Sequence, residues 1–478
     1  MKLRNYQSEL IVDVKKALRL YRRVLIQLET GGGKTAIAAF MALSAVAKGN
    51  TIVFTCHRSE LIIQTALTFG RLGLKYGFIA AGYPYDPTAP IQIASIDTLK
   101  NRMNKIPEPS IVVWDEAHHL GAAGWTRVQA TWKNSYHIGL SATPERLDGR
   151  GLEDNFDFMI KGKDAKWLIG NGYLSEYDAF TPTSPDVSGI KTIAGDYQKS
   201  GLVEEMEKPS ITGDIVKHYL KHARGKRAIG FAVTIDHSEH MAETFRKSGI
   251  MAIHLDGNSK SGDRKAAAKA FAAGDIDVLW NVGLFGEGYD LSAQAGTDVT
   301  VDAVILARPT KSICLHRQMI GRALRPKTDK SNAIILDHAG NIMRFGRRGG
   351  LPELSPDWTL KGREKGKRRP VDDEADQAIK RCPACLAAHL PKPVCPFCGH
   401  VYESGRTIEE RDGDLNRIDA ASLMGETFAE DYRERSLEEL YTAATEAEKT
   451  NPAQWAARIV TIREQNRRTQ AGKKKAGN

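Results

Sequence analysis

Short apolar runs recur along the first third of the chain: VLIQLE, TIVFTC, IQIASI, IVVWDE and YHIGLSA, all between residues 24 and 142. Segments long enough to hold a helix separate them, which is the alternation of a parallel sheet. Each run is continuously apolar rather than alternating, so its strand is expected to be covered on both faces, as by helices flanking a doubly wound sheet. The pattern restarts with RAIGFA, MAIHLD, DVLWNV, DAVILA and AIILDH between residues 227 and 338, predicting a second sheet of the same type. Between the two, a stretch from Thr181 to Gly213 rich in Gly, Pro, Ser and Asp reads as a connector or inserted loop. Strand runs stop after Phe345, and Lys361 to Arg369 carries six basic residues against one acid, Glu364, as a solvated linker would. Further on, Ser436 and Glu439 form a capping box before LYTAATEAEK, Asn451-Pro452 opens another helix-like stretch, and Lys473, Lys474 and Lys475 mark a basic end.

Length agrees with this partition, since 478 residues exceed what one core usually serves. At 41% hydrophobic and 26% charged the composition is that of a globular protein and excludes disordered and collagen-like classes. No signal peptide is apparent and no run reaches the roughly 18 apolar residues of a membrane span. The most apolar stretch, Ala36 to Ala47, is broken by Ser44 and reads as a helix buried between layers. The expectation is a cytoplasmic protein, in a bacterial or phage-infected cell, with no membrane partner. The net charge of +10 favours contact with a polyanion but is equally met by a solvated surface.

The segment VLIQLETGGGKTAIAAF sets a glycine-rich turn directly between a strand and a helix, the context a phosphate-binding loop requires. Thr30, Gly31, Gly32 and Gly33 would turn successive N–H groups onto a phosphate, Lys34 would add a point charge, and Thr35 would hold magnesium. Leu28 stands where the general pattern has its first glycine. IVVWDEAHH ends a strand on Asp115, suited to magnesium, and Glu116, suited to orienting or deprotonating a water. Two acids ending a strand would by themselves be an ordinary turn. Following a phosphate loop, they make a nucleotide triphosphatase.

Residues 115 to 118, Asp-Glu-Ala-His, resemble the second motif of the superfamily 2 helicases. LRNYQ (3 to 7) is similar to that family's adenine motif, HRSELIIQ (57 to 64) to its strand-contacting motif and Ser141-Ala142-Thr143 to its coupling motif. GLFGEGYD (283 to 290) is similar to its fifth motif and QMIGRALR (318 to 325) to its sixth. SATPERLDGRGL, NVGLFGEGYD, ARPTKSICLHRQMIGRALRP and IILDHAGN are similar in particular to bacterial and phage RadD-like proteins, over about residues 1 to 345, whereas FAVTIDHSEH matches the fourth motif only loosely.

The resemblance implies an α/β fold of two tandem RecA-like doubly wound parallel-sheet domains with ATP and magnesium between them. It implies that Arg4 and Gln7 recognise adenine, that His118, Ser141 and Thr143 couple the sites, and that Asp290 meets the ribose. Gln318, Arg322 and Arg325 would join Glu116 in catalysis, the two arginines lying on one helical face and aimed at the nucleotide of the other lobe. Arg58, Gln64 and Thr98 would touch nucleic acid.

RCPACLAAHLPKPVCPFCGHVY holds two Cys-Pro-x-Cys knuckles nine residues apart, and Cys382, Cys385, Cys395 and Cys398 give the sulfur set of a structural zinc ribbon. Gly399 follows the second knuckle and Leu386 the first, while His389 and His400 are spare. Cys56 and Cys314 read as small buried hydrophobes. The expected boundaries are a first lobe over 1–178, a connector 179–213, a second lobe 214–345, a basic linker 346–380, the ribbon 381–403 and a helical tail 404–478. The function expected is an ATP-dependent nucleic-acid helicase or translocase acting on DNA, single-stranded or branched, in replication, repair or recombination. The alternatives are an RNA-remodelling ATPase, the motor of a restriction system, and a non-enzymatic adaptor working through the ribbon or tail, which would also be the place for a protein partner.

Overall fold

The computed structural model describes residues 2–362 apart from 147–148, 182–184, 194–195, 207, 286–290 and 327–331, together with 379–402, 436–446 and a few positions between 452 and 460. Residues 1–403 form one unit and 404–478 another. Asp290, residues 363–378 of the basic linker and most of the tail therefore lie outside the described residues.

The first lobe is a parallel sheet of β1 (Arg23–Gln27), β2 (Ile52–Cys56), β3 (Tyr76–Ile79), β4 (Ile91–Ser95), β5 (Ile111–Asp115), β6 (Tyr136–Ser141) and β7 (Phe158–Lys161). Their order is β3-β4-β2-β5-β6-β1-β7. The five apolar runs of the sequence are its five interior strands. The edge strands β3 and β7 were not read, and the reason is physical: each is only partly covered, so neither carries a continuous apolar run. The helix Lys34–Val46 buries Ile37, Ala38, Ala39 and Ala42, which explains its apolar character without a membrane. Among the described residues no helix is long and apolar enough to cross one. Cys56 and Cys314 are buried.

The chain enters the second lobe through β8 (Tyr177–Phe180) and makes a small hairpin of β9 (Thr192–Ile193) and β10 (Asp196–Tyr197). It then builds β11 (Ala228–Phe231), β12 (Ala252–Leu255), β13 (Val278–Asn281), β14 (Ala303–Leu306) and β15 (Ala333–Asp337). The expected boundary at 178/179 falls inside β8, which pairs in parallel with β15 and is thus a strand of the second sheet. The supposed connector holds the β9–β10 hairpin and the helices Lys199–Met206 and Pro209–His222. Tyr219 of the latter packs on Phe245.

Past β15, residues 349–362 run back to the first lobe. The Leu152 N–H donates to the Leu360 carbonyl (2.7 Å), Lys161 pairs with Asp357 (2.6 Å), and Trp358 is buried beside Ile313 and Met159. This strap belongs to the fold, although its sequence reads as linker. The chain returns with β16 (Lys380–Arg381) and β17 (Ala387–His389), and β17 pairs antiparallel with β8. The second sheet accordingly runs β12-β13-β11-β14-β15-β8-β17-β16, with the cysteine module as its last two strands. Covering the β8 edge this way removes a row of unpaired backbone groups.

In the separate C-terminal unit the helix Leu437–Glu446 carries the capping box expected of it. Ser436 N–H donates to the Glu439 carboxylate (2.6 Å) and Glu439 N–H to the Ser436 hydroxyl (3.2 Å).

Candidate nucleotide cleft and metal centre

β1 leads into the loop Leu28–Gly33, whose Gly31 and Gly33 have φ of 84° and 89°, a region side chains disfavour. A Cβ on Gly33 would also lie 2.3 Å from the Gln7 amide nitrogen. Gln7 and Tyr6 both donate to the Gly32 carbonyl, at 3.0 and 2.8 Å, so the N-terminal motif is keyed directly to the phosphate loop. Leu28, in place of the usual glycine, is fully buried. Lys34, with its ammonium 3.4 Å from the Leu28 carbonyl, folds back over the loop, and Thr35 follows it on the helix.

At the end of β5, Asp115 is buried against that lysine. Burial and then repulsion from Glu116 push its carboxyl well above the usual range, opposed by Lys34 and His57. Glu116 itself sits at φ 48°, a left-handed conformation that costs a non-glycine residue of the order of 1–3 kcal/mol and is found mainly where function fixes the backbone. A relay leaves it: His118 Nδ1 lies 3.4 Å from Glu116 and 3.3 Å from the Ser141 hydroxyl, which accepts the Thr143 N–H at 3.1 Å. The buried hydroxyl of Thr143 has no hydrogen-bond partner. The three residues expected to couple the sites are brought together.

The second lobe closes on this loop. A Cβ on Gly321 would be 2.8 Å from Cβ and Cγ2 of Thr30, and Arg325 Cγ lies 4.0 Å from where a Cβ on Gly31 would sit. The helix Ile313–Gly321 ends before either arginine: Arg322 is its C-cap and Arg325 follows the turn at 322–324. The expectation of one helical face is corrected accordingly; both arginines instead border one small cavity with Phe285 and Leu291. Gln318 is buried, and among the described residues its side-chain amide nitrogen has no hydrogen-bond partner.

Four features escaped the sequence reading. Trp167 and Tyr173, from the segment after β7, pack with Tyr6 at 5.1–5.7 Å, and the Arg4 guanidinium lies 4.8 Å over Tyr173. Glu29 and Arg317 form a buried ion pair between the lobes at 2.9 Å. No spacing rule pointed to any of these, because the partners are far apart in sequence. Arg58, expected on nucleic acid, donates to the Gly283 and Leu284 carbonyls at 3.1 and 3.3 Å and so ties the lobes together instead. Gln64 and Thr98 are half-buried.

The four cysteines of the terminal module gather with their sulfurs within 4.8 Å of one another. The Cys382–Cys398 and Cys385–Cys395 separations are 3.6 and 3.7 Å, close to the roughly 3.8 Å edge of a tetrahedron with 2.3 Å metal–sulfur bonds. Although burial opposes it, N–H groups of Cys385 and Ala384 hold the Cys382 thiol below its usual range. Leu386 and Gly399, each just after a knuckle, share a positive φ (64° and 75°). His389 is engaged with the Tyr402 hydroxyl (2.7 Å) rather than with the sulfurs.

Residues 1–146 match the family model for the type III restriction enzyme res subunit, and residues 211–327 match the helicase conserved C-terminal domain. The chain belongs to the superfamily 2 helicases. This helicase is 33% identical over 401 residues to the 51.5 kDa protein of Lactococcus phage (isolate 7-9), covering 83% of this chain and 81% of the relative. It is 30% identical to the ATP-dependent helicase IRC3 of Saccharomyces cerevisiae over 71% of its own length, and spans about half (51%) of that longer protein. In fold it is similar to a fragment of an HsdR subunit of a type I restriction enzyme from Vibrio vulnificus, with TM-score 0.57 at 20% identity over 74% of this chain and 67% of the other. The type ISP restriction-modification enzyme LlaBIII, solved bound to DNA, gives TM-score 0.52 at 17% identity over 70% of this chain and 28% of the other. Residues 363–411 match the ribosomal L32p family, consistent with a ribbon at the cysteines. As a superfamily 2 helicase the protein is ATP-dependent and acts on nucleic acid.

Proposed function

We propose that the protein is a DNA translocase or helicase that hydrolyses ATP at the junction of its two lobes. The observation that supports this is the approach of Gly321 and Arg325 of the second lobe to the Thr30–Gly31 turn of the first-lobe phosphate loop. Arg4 and Gln7 would select adenine, with Trp167 and Tyr173 giving it a stacking wall. Lys34 would neutralise the outer phosphates while Thr35 and Asp115 hold magnesium, which supplies charge neutralisation there. The crowding of two carboxylates around one lysine fits a site that takes a divalent cation.

Glu116 would orient and accept the proton of the attacking water, and Gln318 would fix it. Arg322 and Arg325 would stabilise charge as the terminal phosphoryl group transfers, so turnover requires closed lobes. Asp290 belongs at the ribose on the motif's resemblance alone. His118, Ser141 and Thr143 would report the state of Glu116 toward the strand track, where Gln64 and Thr98 are the first-lobe candidates. The four cysteines would hold zinc as a closed structural site. DNA is favoured over RNA because the LlaBIII motor was solved on DNA. Motor work within a restriction system is the second reading, prompted by the name of the family model over residues 1–146.

The test is ATP turnover with single-stranded DNA, forked DNA and RNA for the wild type, Lys34→Ala and Glu116→Gln. Stimulation by DNA, lost at least 100-fold in both variants, is expected. Turnover by the variants at wild-type rate would refute the mechanism, and stimulation by RNA alone would move the substrate.

A further inference from the structure

The ion pair between Glu29 and Arg317 is unusual in place. Glu29 stands in the phosphate loop, immediately before Thr30, and Arg317 immediately precedes Gln318 on the helix that Arg322 caps. Their side chains are only 6% and 4% exposed. Arg317 also donates to the Leu351 carbonyl (3.2 Å), the Pro352 carbonyl (3.0 Å) and the Ser355 hydroxyl (2.9 Å), and Ser355 donates to the other Glu29 oxygen at 2.8 Å. One guanidinium thus joins three parts of the molecule: the phosphate loop, the arginine-bearing helix, and the strap that continues onto the edge of the first lobe.

We infer that Glu29, Arg317 and Ser355 form a positioning hub that holds Arg322 and Arg325 in register over the phosphate loop, making phosphoryl transfer, rather than ATP binding, depend on the strap. The inference rests on the motor reading above. An exposed pair would be too weak and too mobile to set register, but a buried one with its donors spent on fixed acceptors has a single low-energy arrangement. A planar five-donor fork meets these acceptors from two directions, which a lysine ammonium cannot do. Adenine and phosphate contacts lie mainly on the first lobe, so disturbing the hub leaves the bound ground state and displaces the groups that act on the transition state. That places the loss in kcat.

Full-length Arg317→Lys, Glu29→Gln and Ser355→Ala proteins are compared with wild type for DNA-stimulated kcat and KM for ATP, and for affinity to a non-hydrolysable ATP analogue. The expected order of kcat loss is Arg317→Lys (about 10- to 100-fold), Glu29→Gln (about 5- to 10-fold) and Ser355→Ala (about 2- to 4-fold), with KM and analogue affinity within about 3-fold. Gln at position 29 keeps the shape and one acceptor, so its milder loss separates geometry from mere folding damage. Should Arg317→Lys unfold, Glu29→Gln and the half-exposed Ser355→Ala decide. Unchanged kcat in those two, or a rise in KM at constant kcat, overturns the hub. A wild type that no nucleic acid stimulates would instead sink the motor reading.

Discussion

Replacing Gly321 by Ala adds one methyl at the contact between the lobes, and the result separates stability from catalysis. The new Cβ would stand 2.8 Å from both Cβ and Cγ2 of Thr30, whereas carbon atoms pack at about 3.5–4.0 Å. The helix end must therefore retreat from the phosphate loop by roughly 1 Å. Locally the substitution favours the helix, by up to about 1 kcal/mol, since Gly321 is its last residue and has no positive φ. The variant should melt within a few degrees of wild type. Arg322 and Arg325 move with the helix end, and a displacement of about 1 Å at reacting groups costs on the order of 100-fold in rate. DNA-stimulated ATPase should show kcat reduced by about 30- to 100-fold, while a fluorescent ATP analogue still binds within about 3-fold, because Gln7, Lys34 and the loop glycines are unchanged and the second lobe is what gives way. Wild-type kcat in a folded Gly321→Ala protein would mean that Gly321 does not meet Thr30 in the working state, and the cleft geometry would have to be abandoned.

Mild acid should destabilise the protein through its buried histidines, offset in part by Asp115 and Asp337, whose carboxyls burial pushes up to about 6 so that the native state gains protons in the same range. His137, His237 and His316 are buried neutral, with burial drawing each pKa down to about 4, against about 6.5 when unfolded. The native state then binds fewer protons than the unfolded one between those values. Stability is fully present above about pH 6.5 and falls as pH drops toward 4, by as much as about 1.4 kcal/mol per pH unit for each histidine. Urea denaturation at pH 7, 6 and 5 reads this, and a flat profile would contradict it. Chelation of the cysteine centre should do more than loosen a terminal module: amide exchange should accelerate at β8, since β17 is its edge partner, while β1 and β5 stay protected. Equal protection of β8 with and without the chelator would argue against a metal-held ribbon.

Most of the interior of both sheets was legible because a strand covered on two faces must be apolar throughout: nine of the ten runs are interior strands, the tenth, MAIHLD, is the edge strand β12, and the interior strands β8 and β17 of the second sheet carry no such run. Partly covered edges such as β3 and β7 carry no such signature. The phosphate loop and the Asp115–Glu116 pair were legible because backbone convergence and paired carboxylates demand particular residues at short range. The hub of Glu29, Arg317 and Ser355 was not, since Glu29 lies 288 residues from Arg317, Arg317 lies 38 from Ser355, and each is an ordinary polar residue until the fold joins them. Leu386 shows the same limit on a smaller scale. Its departure from glycine was visible, but its positive φ became visible only in the knuckle, where Leu386 N–H donates to the Cys382 carbonyl at 2.9 Å.

The path of the chain makes the ribbon harder to treat as a module than its sequence suggests. From the second lobe the chain crosses to the first lobe at 349–362, where Leu360 and Asp357 are bound, and then comes back to the second lobe at Ile379 and β17. Deleting the ribbon would remove β17 and expose the β8 edge, disturbing the second sheet. A loss of DNA-stimulated activity after such a deletion would not by itself assign DNA contact to the ribbon. Exchanging exposed lysines and arginines on its surface, with the four cysteines and β17 kept, isolates that question.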